Sequence, residues 1–251
     1  MSIDEVKNFY AIDEAKKTKS RKKRTKIRWV QALTLLATIV LTLSIYGDTY
    51  HLTEEPDKLE AAIRDYIPNV KAEVELVQKE AEWMYVIFSD PQYGDCFMGL
   101  ALLKRGWNHK YVLRSAQYGS GPPIQLENMV GNHNQVIIYG MIKDGRAVRY
   151  EYAKEIQDIY REVMYRGNID QEVFFHVQDN KGYWYWMAPF QLFNDEGEDI
   201  MDSYLSQQRR DAPAGGVSTA ELFMVDVACL FIIILGILLT VGVGRKLRHE
   251  N

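Results

Sequence analysis

Cysteine is scarce and poorly placed for cross-linking: of the two in this 251-residue chain, Cys96 stands in the middle and Cys229 lies inside a long apolar run. No disulfide can staple the central region, which must fold on its apolar core alone. Cys96 itself reads as a small buried apolar residue. Asn-x-Ser/Thr acceptors and CxxC pairs are absent. A small extracellular domain of a eukaryote usually carries disulfides, and glycan acceptors are common there, so these absences point to a bacterial plasma membrane.

Catalytic signatures are missing as well. The chain has no His-Glu-x-x-His, no phosphate-binding glycine loop, and only Gly119-Ser120-Gly121 where a nucleophile elbow requires G-x-S-x-G. His51, His109, His133 and His176 fall on separate predicted elements, none paired at metal-ligand spacing. Asp195, Glu196, Glu198 and Asp199 lack the ligand spacing of an EF-hand loop and read as a solvated acidic turn. The expectation is therefore no cofactor, no metal and no catalytic residue.

Two apolar runs dominate what is present, residues 29–46 and 222–243. Eighteen and twenty-two residues compare with the roughly 20 that a helix needs to cross the hydrocarbon core. Lys and Arg beside a span resist translocation. Nine basic residues and no acid fill 16–28, and Arg245, Lys246 and Arg248 follow the second run against the single acid Glu250. Both flanks are thus expected in the cytoplasm. A cleaved signal peptide fits less well than an anchor, because residues 43–47, Leu-Ser-Ile-Tyr-Gly, offer no small-x-small site.

The net charge of −4 conceals a strong asymmetry. Residues 1–28 hold ten bases and four acids, +6, and the tail 244–251 holds three and one, +2, which leaves −12 for the stretch between. Glu221 and Asp226 account for two of those, so the central domain stands at −10. Such a domain repels nucleic acid and other polyanions.

Local patterns divide the chain further. Ser2-Ile3-Asp4-Glu5 fits a capping box ahead of a short amphipathic stretch, although a frayed tail is favoured there. Thr53 is a good N-cap for a helix carrying Leu59, Ala62, Ile63 and Tyr66 on one face, which Pro68 ends. Residues 70–81 fit both periods, and the reading leans towards helix running into strand. From Trp83 to Ile200 short aromatic and β-branched runs alternate with turn chemistry. Strands are expected at 83–89, 96–103, 110–118, 135–143, 146–152, 172–177, 183–187 and 190–193. Asp144-Gly145 is the strongest hairpin signal. A short helix over 154–164 is expected from Ile156, Ile159, Tyr160 and Val163. Because 83–88 and 136–142 are apolar on both faces, those strands should be central.

The predicted fold is a membrane-anchored α+β protein with this layout: a basic cytoplasmic segment 1–28, a transmembrane helix 29–46 and an extracytoplasmic β-rich domain 47–202. A flexible tether 203–221, a second transmembrane helix 222–243 and a cytoplasmic tail 244–251 follow. The domain should be a sandwich or a partly open barrel. The second run carries Asp226, costly inside a bilayer unless it snorkels or pairs. It also carries a small-residue row, Gly236, Thr240 and Gly244, matched on the first by Thr34, Thr38 and Thr42; these rows suit helix association within the chain or between copies. Outside contacts are assigned to Tyr183, Trp184, Tyr185 and Trp186, and to the loop Gly119, Ser120, Gly121, Pro122 and Pro123. Those patterns point to a protein that acts by binding a protein partner or envelope ligand, as an accessory subunit or sensor. The rival is an envelope hydrolase using His133 or His176 with a carboxylate supplied by the fold, and a spacer within a larger assembly is a third reading.

Overall fold

The computed structural model describes residues 3–131, 134–156, 160–181, 190–209, 211–218 and 221–249. It is α+β, with long apolar helices towards the two ends and β-rich sheets between them. Helix α1 (Ile3–Thr49) and helix α2 (Pro56–Tyr66) come first. Strands follow as β1 (Glu73–Glu80), β2 (Trp83–Ser89), β3 (Phe97–Arg105), β4 (Tyr111–Ser120), β5 (Ile124–Asn128) and β6 (Gln135–Met141). Next are β7 (Arg149–Ile156), β8 (Tyr160–Asn168), β9 (Val173–Asp179) and β10 (Phe190–Phe193), then helix α3 (Met201–Leu205), strand β11 (Gly215–Ser218) and helix α4 (Glu221–His249). Two compact units result: residues 1–49 with 220–251, and residues 50–219.

In the second unit the strands form three sheets, β1-β2-β3-β4-β11, β5-β6-β9 and β10-β7-β8, every neighbouring pair antiparallel. Successive side chains of a strand point to opposite faces, and β2 buries both sets. Met84, Val86 and Phe88 share a core cluster with Leu59 and Ile63 of α2, whereas Tyr85 and Ile87 share another with Ile137, Tyr139 and Met141 of β6. On its other face β6 turns Val136 and Ile138 towards Tyr150, Tyr152, Tyr165, Leu192 and Tyr204. The layers therefore run α2, first sheet, second sheet, third sheet. Strands covered on both sides read as continuous apolar runs, and β2 and β6 each lie between two neighbours as expected.

In each sheet a glycine stands directly opposite an aromatic ring that takes its side-chain space: Gly99 faces Phe88, Gly140 faces Phe174 and Gly167 faces Tyr150. In all three the ring lies where a Cβ would sit. A missing side chain on one strand thus makes room for a large one on the next, which lets rings lie flat within layers that are closed above and below.

Several expectations are corrected by these pairings. Residues 73–80 are strand, with no helical segment among 70–81. The helix-like spacing of Val74 and Val77 comes from a bulge: Val74 pairs with Phe88 and Leu76 with Ile87, so the extra residue Glu75 brings Val74 and Val77 onto one face. Thr53 does not cap α2; its hydroxyl donates to Glu55 Oε1 at 3.1 Å and the helix opens at Pro56, which suits a first-turn position.

Residues 146–152 do not fold back on 135–143. Gly145 has the positive φ of 65° that the turn needs, yet β6 already has β5 and β9 as neighbours, and the chain crosses to the third sheet. No helix covers 154–164 among the described residues, because β7 and β8 pair as a hairpin whose register shifts at Tyr152/Ala153. The stretch 203–221 is not a free tether. It holds the end of α3, buries Tyr204 and adds β11 to the edge of β4. Small residues make that close approach possible, with Ala214 beside Gly119 and Gly215 against the Tyr118 ring.

Gly140→Ala places a methyl 2.7 Å from the Pro123 carbonyl oxygen as well as against the Phe174 ring, and backbone cannot yield as a side chain does. We expect a loss of about 1–3 kcal/mol, the range for overpacking, with Phe174→Leu restoring only the ring's share. Denaturant unfolding of the two single variants and the double variant checks this.

Candidate functional site

In the first unit α1 and α4 pack along a narrow seam. From residue 24 to 45 the half-buried residues of α1 are Ile27, Gln31, Thr34, Thr38, Thr42 and Ile45, at helical spacing, and Tyr46, Gly47 and Thr49 at its end are half-buried too; those of α4 are Val225, Ile232 and Thr240, with Cys229 and Gly236 buried. Thr38 and Gly236 meet so closely that a Cβ on Gly236 would overlap the threonine side chain. Gln31 Nε2 donates to the Thr240 carbonyl at 2.9 Å. Thr34, Thr38, Thr42 and Thr240 each turn the hydroxyl back onto the carbonyl four residues earlier, at 2.7–3.0 Å. These hydroxyls are satisfied within their own helices, and the threonines offer the seam small shape.

The outward faces are the opposite. Leu33, Leu36, Leu230, Phe231 and Leu238 are 57–63% exposed. Among the described residues, only four exposed large apolar ones belong to the domain, Trp107, Val130, Val148 and Leu205, and all the others lie on these two helices. Asp226 is exposed on α4, with no hydrogen-bond or ion-pair partner among the described residues; Gly244 belongs to α4, its surroundings lying outside the description.

Of the residues assigned to outside contacts, Tyr183, Trp184, Tyr185 and Trp186 lie outside the described residues, as does His133. The loop is shorter than expected, since Gly119 and Ser120 end β4. Gly121 donates its N–H to the Cys96 carbonyl at 3.2 Å, Pro123 is buried, and Pro122 remains exposed. Ser120 Oγ accepts from the Arg209 N–H at 3.0 Å, and the Arg209 guanidinium reaches both Asp211 and the Gln92 carbonyl. The segment after α3 is thereby strapped over this corner of the domain.

His176 borders a cleft of about 220 Å³ with Leu76, Gln78, Asp170, Gln171 and Phe174. Its Nδ1 lies 3.0 Å from the hydroxyl of Tyr150, its one hydrogen-bond partner among the described residues. Burial lowers the affinity of the imidazole for a proton, partly opposed by Asp170, and burial pushes the Tyr150 hydroxyl up to about 12. Gln178 donates to the same hydroxyl at 3.1 Å. Among the described residues no carboxylate lies in hydrogen-bond reach of the ring. Among the described residues no three His, Cys, Asp or Glu side chains converge as a metal would require.

Two acidic clusters escape sequence reasoning because their members are far apart in the chain. Glu75, on the bulge of β1, accepts from Lys143 Nζ at 2.5 Å and from Ser89 Oγ at 2.6 Å. Burial pushes its carboxyl up, but those donors outweigh it and hold the group below its ordinary value. Glu127 on β5 accepts from Gln117 Nε2 of the first sheet and, at 3.5 Å, from Tyr139, whose hydroxyl lies 2.7 Å from Gln125 Oε1. There burial dominates and raises the Glu127 carboxyl; burial together with Glu127 raises Tyr139 well above its usual value.

Comparison of the chain with protein-family models, with curated proteins and with solved structures finds no match.

The two carboxylates should leave opposite pH signatures. Glu75 stabilises the fold above the ordinary carboxyl value of 4.5, and that contribution is lost as pH falls through its depressed folded value. Glu127 is protonated more readily when folded, so ionisation costs stability as pH rises from 4.5 through its raised folded value. At about pH 7 Glu75→Gln should be less stable by on the order of 1 kcal/mol and Glu127→Gln as stable as the parent or more so. Both differences should close below the ordinary carboxyl range in thermal unfolding.

Gly236→Leu should weaken the helix seam by about 1–3 kcal/mol. Gly242→Leu, with open space around it, should not. Titration with a denaturing detergent, followed by helical circular dichroism, distinguishes the two.

Proposed function

We propose that this chain is a two-pass protein of a bacterial plasma membrane that holds an acidic β-rich domain outside the cell and acts there by binding. The observation that carries this reading is the reversed pattern of α1 and α4: threonine, glutamine and glycine occupy much of the seam beside Ile45, Val225 and Ile232, and the leucines, Phe231 and most other large apolar residues face outwards. In water that arrangement exposes a large apolar surface; in lipid it is the stable one. The apolar helical stretches Arg24–Thr49 and Met224–Gly242, 26 and 19 residues, suffice to cross a bilayer. Pairing of Thr38 with Gly236 and of Gln31 with Thr240 gives the first helix a lasting structural role, which favours an anchor over a cleaved leader.

Basic residues flank both helices on the sides away from the domain, so both termini are cytoplasmic in this reading. The domain works as an accessory subunit or sensor, with Tyr183, Trp184, Tyr185, Trp186 and the exposed end of the loop at Pro122 as its contact surface. Asp226, Gly236, Thr240, Gly244, Thr34, Thr38 and Thr42 serve helix association.

Cysteine labelling tests the layout. With a membrane-impermeant maleimide on intact cells, Glu196→Cys in the exposed turn after β10 should react, and Ser20→Cys should react only after permeabilisation. The opposite pattern overturns the proposal. Extraction in mild detergent should then recover a stoichiometric partner that Trp184→Ala with Trp186→Ala releases while labelling stays unchanged; an isolated chain would remove the accessory role.

A further inference from the structure

We propose that the tip of the β3–β4 hairpin, centred on Trp107, is seated in the phospholipid headgroup layer of the bilayer that α1 crosses. The inference rests on the two-pass reading and adds a lipid contact made by the folded domain itself. Trp107 is 61% exposed, the most exposed large apolar side chain among the described residues of the domain. The tip that carries it is tightly built. Gly106 donates to the Lys110 carbonyl at 2.7 Å, His109 donates to Gly106 at 3.0 Å with a positive φ of 61°, and Lys110 donates to Asn108 Oδ1 at 3.2 Å.

That tip is bound to the chain segment leaving the first span. Asn108 Nδ2 donates to the Tyr50 carbonyl at 2.8 Å, and Leu52 and Tyr111 exchange two backbone hydrogen bonds of 2.9 and 3.0 Å. Tyr50 directly follows Thr49, where α1 ends. From the end of the apolar run at Tyr46, four residues at about 1.5 Å each carry the chain only about 6 Å outwards. The polar layer on either side of the hydrocarbon core is about 5–7 Å thick, so the Tyr50 carbonyl, and the hairpin hydrogen-bonded to it, fall within that layer.

The chemistry of the tip suits the location. Tryptophan prefers the boundary where its ring is half apolar and half wet. Lys104, Arg105 and Lys110 lie within three residues of it in the chain, with His109 Nδ1 at 2.9 Å from Arg105 Nη2, in a domain that is otherwise acidic. Glu80 and Glu82 on the adjoining β1–β2 turn offset part of this charge, and Arg105 donates its N–H to the Glu82 carbonyl at 2.8 Å. The long basic side chains can reach lipid phosphates while their stems lie against the apolar boundary.

The test uses the full chain reconstituted into phospholipid vesicles, with and without lipid brominated near the headgroup. Emission that disappears in Trp107→Phe is the signal of Trp107, and it should be quenched by about twofold or more in brominated vesicles. A Trp107→Cys variant carrying a polarity-sensitive dye reads the same depth directly, because Cys96 and Cys229 are both buried. Should neither signal respond to brominated lipid while the protein floats with the vesicles and resists alkaline extraction, the hairpin contact is wrong and the two-pass reading survives. Should the protein fail to float, both are overturned.

Discussion

Burial of the second sheet on both faces is the constraint from which the domain follows. β6 packs Ile137, Tyr139 and Met141 against the first sheet and Val136 and Ile138 against the third, and every one of these side chains is at most 1% exposed. A polar group inserted there has no water to return to. Polar side chains are therefore driven to the rims of the layers, where the Tyr139 hydroxyl meets Gln125 and where Glu127 meets Gln117. The interior is filled by apolar and aromatic side chains.

In the two-pass reading proposed above, the helices obey the same logic with lipid as the solvent. Along the seam, Thr38 and Gly236 allow two backbones to approach, and threonine hydroxyls satisfied at their own i−4 carbonyls present no unmet polar group to a medium lacking water. The outward leucines would be a liability in water. Domain and helix pair thus each hide what their surroundings cannot solvate.

Much of the fold was legible because both-face burial leaves a plain mark: the uninterrupted apolar runs of β2 and β6 announced central strands. Elsewhere the period misled. The bulge at Glu75 converts an alternation of two into a spacing of three, which counterfeits a helix. Asp144-Gly145 supplied correct turn chemistry, but a turn fixes only its own residues, while occupancy on either side of β6 decided where the chain went next. The segment before α4 was too poor in apolar residues to look ordered. Its order comes instead from backbone pairing with β4 and from the Arg209 contacts, neither of which composition records. The helix seam was readable as rows of threonine and glycine, since helical spacing alone places them on one face. Glu75 with Lys143 and Glu127 with Gln117 were not, because each pair is joined only by the stacking of sheets.

The position of β11 has a consequence for biogenesis. The first sheet receives its last strand from residues 215–218, about a hundred residues after β4 and immediately ahead of α4. Long-range closure of this kind is slow. During synthesis the β4 edge stays open until nearly the whole domain has left the ribosome, and in a two-pass layout it closes only as the second hydrophobic helix arrives at the translocation machinery. In that proposed layout, completion of the sheet and insertion of the helix are neighbouring steps.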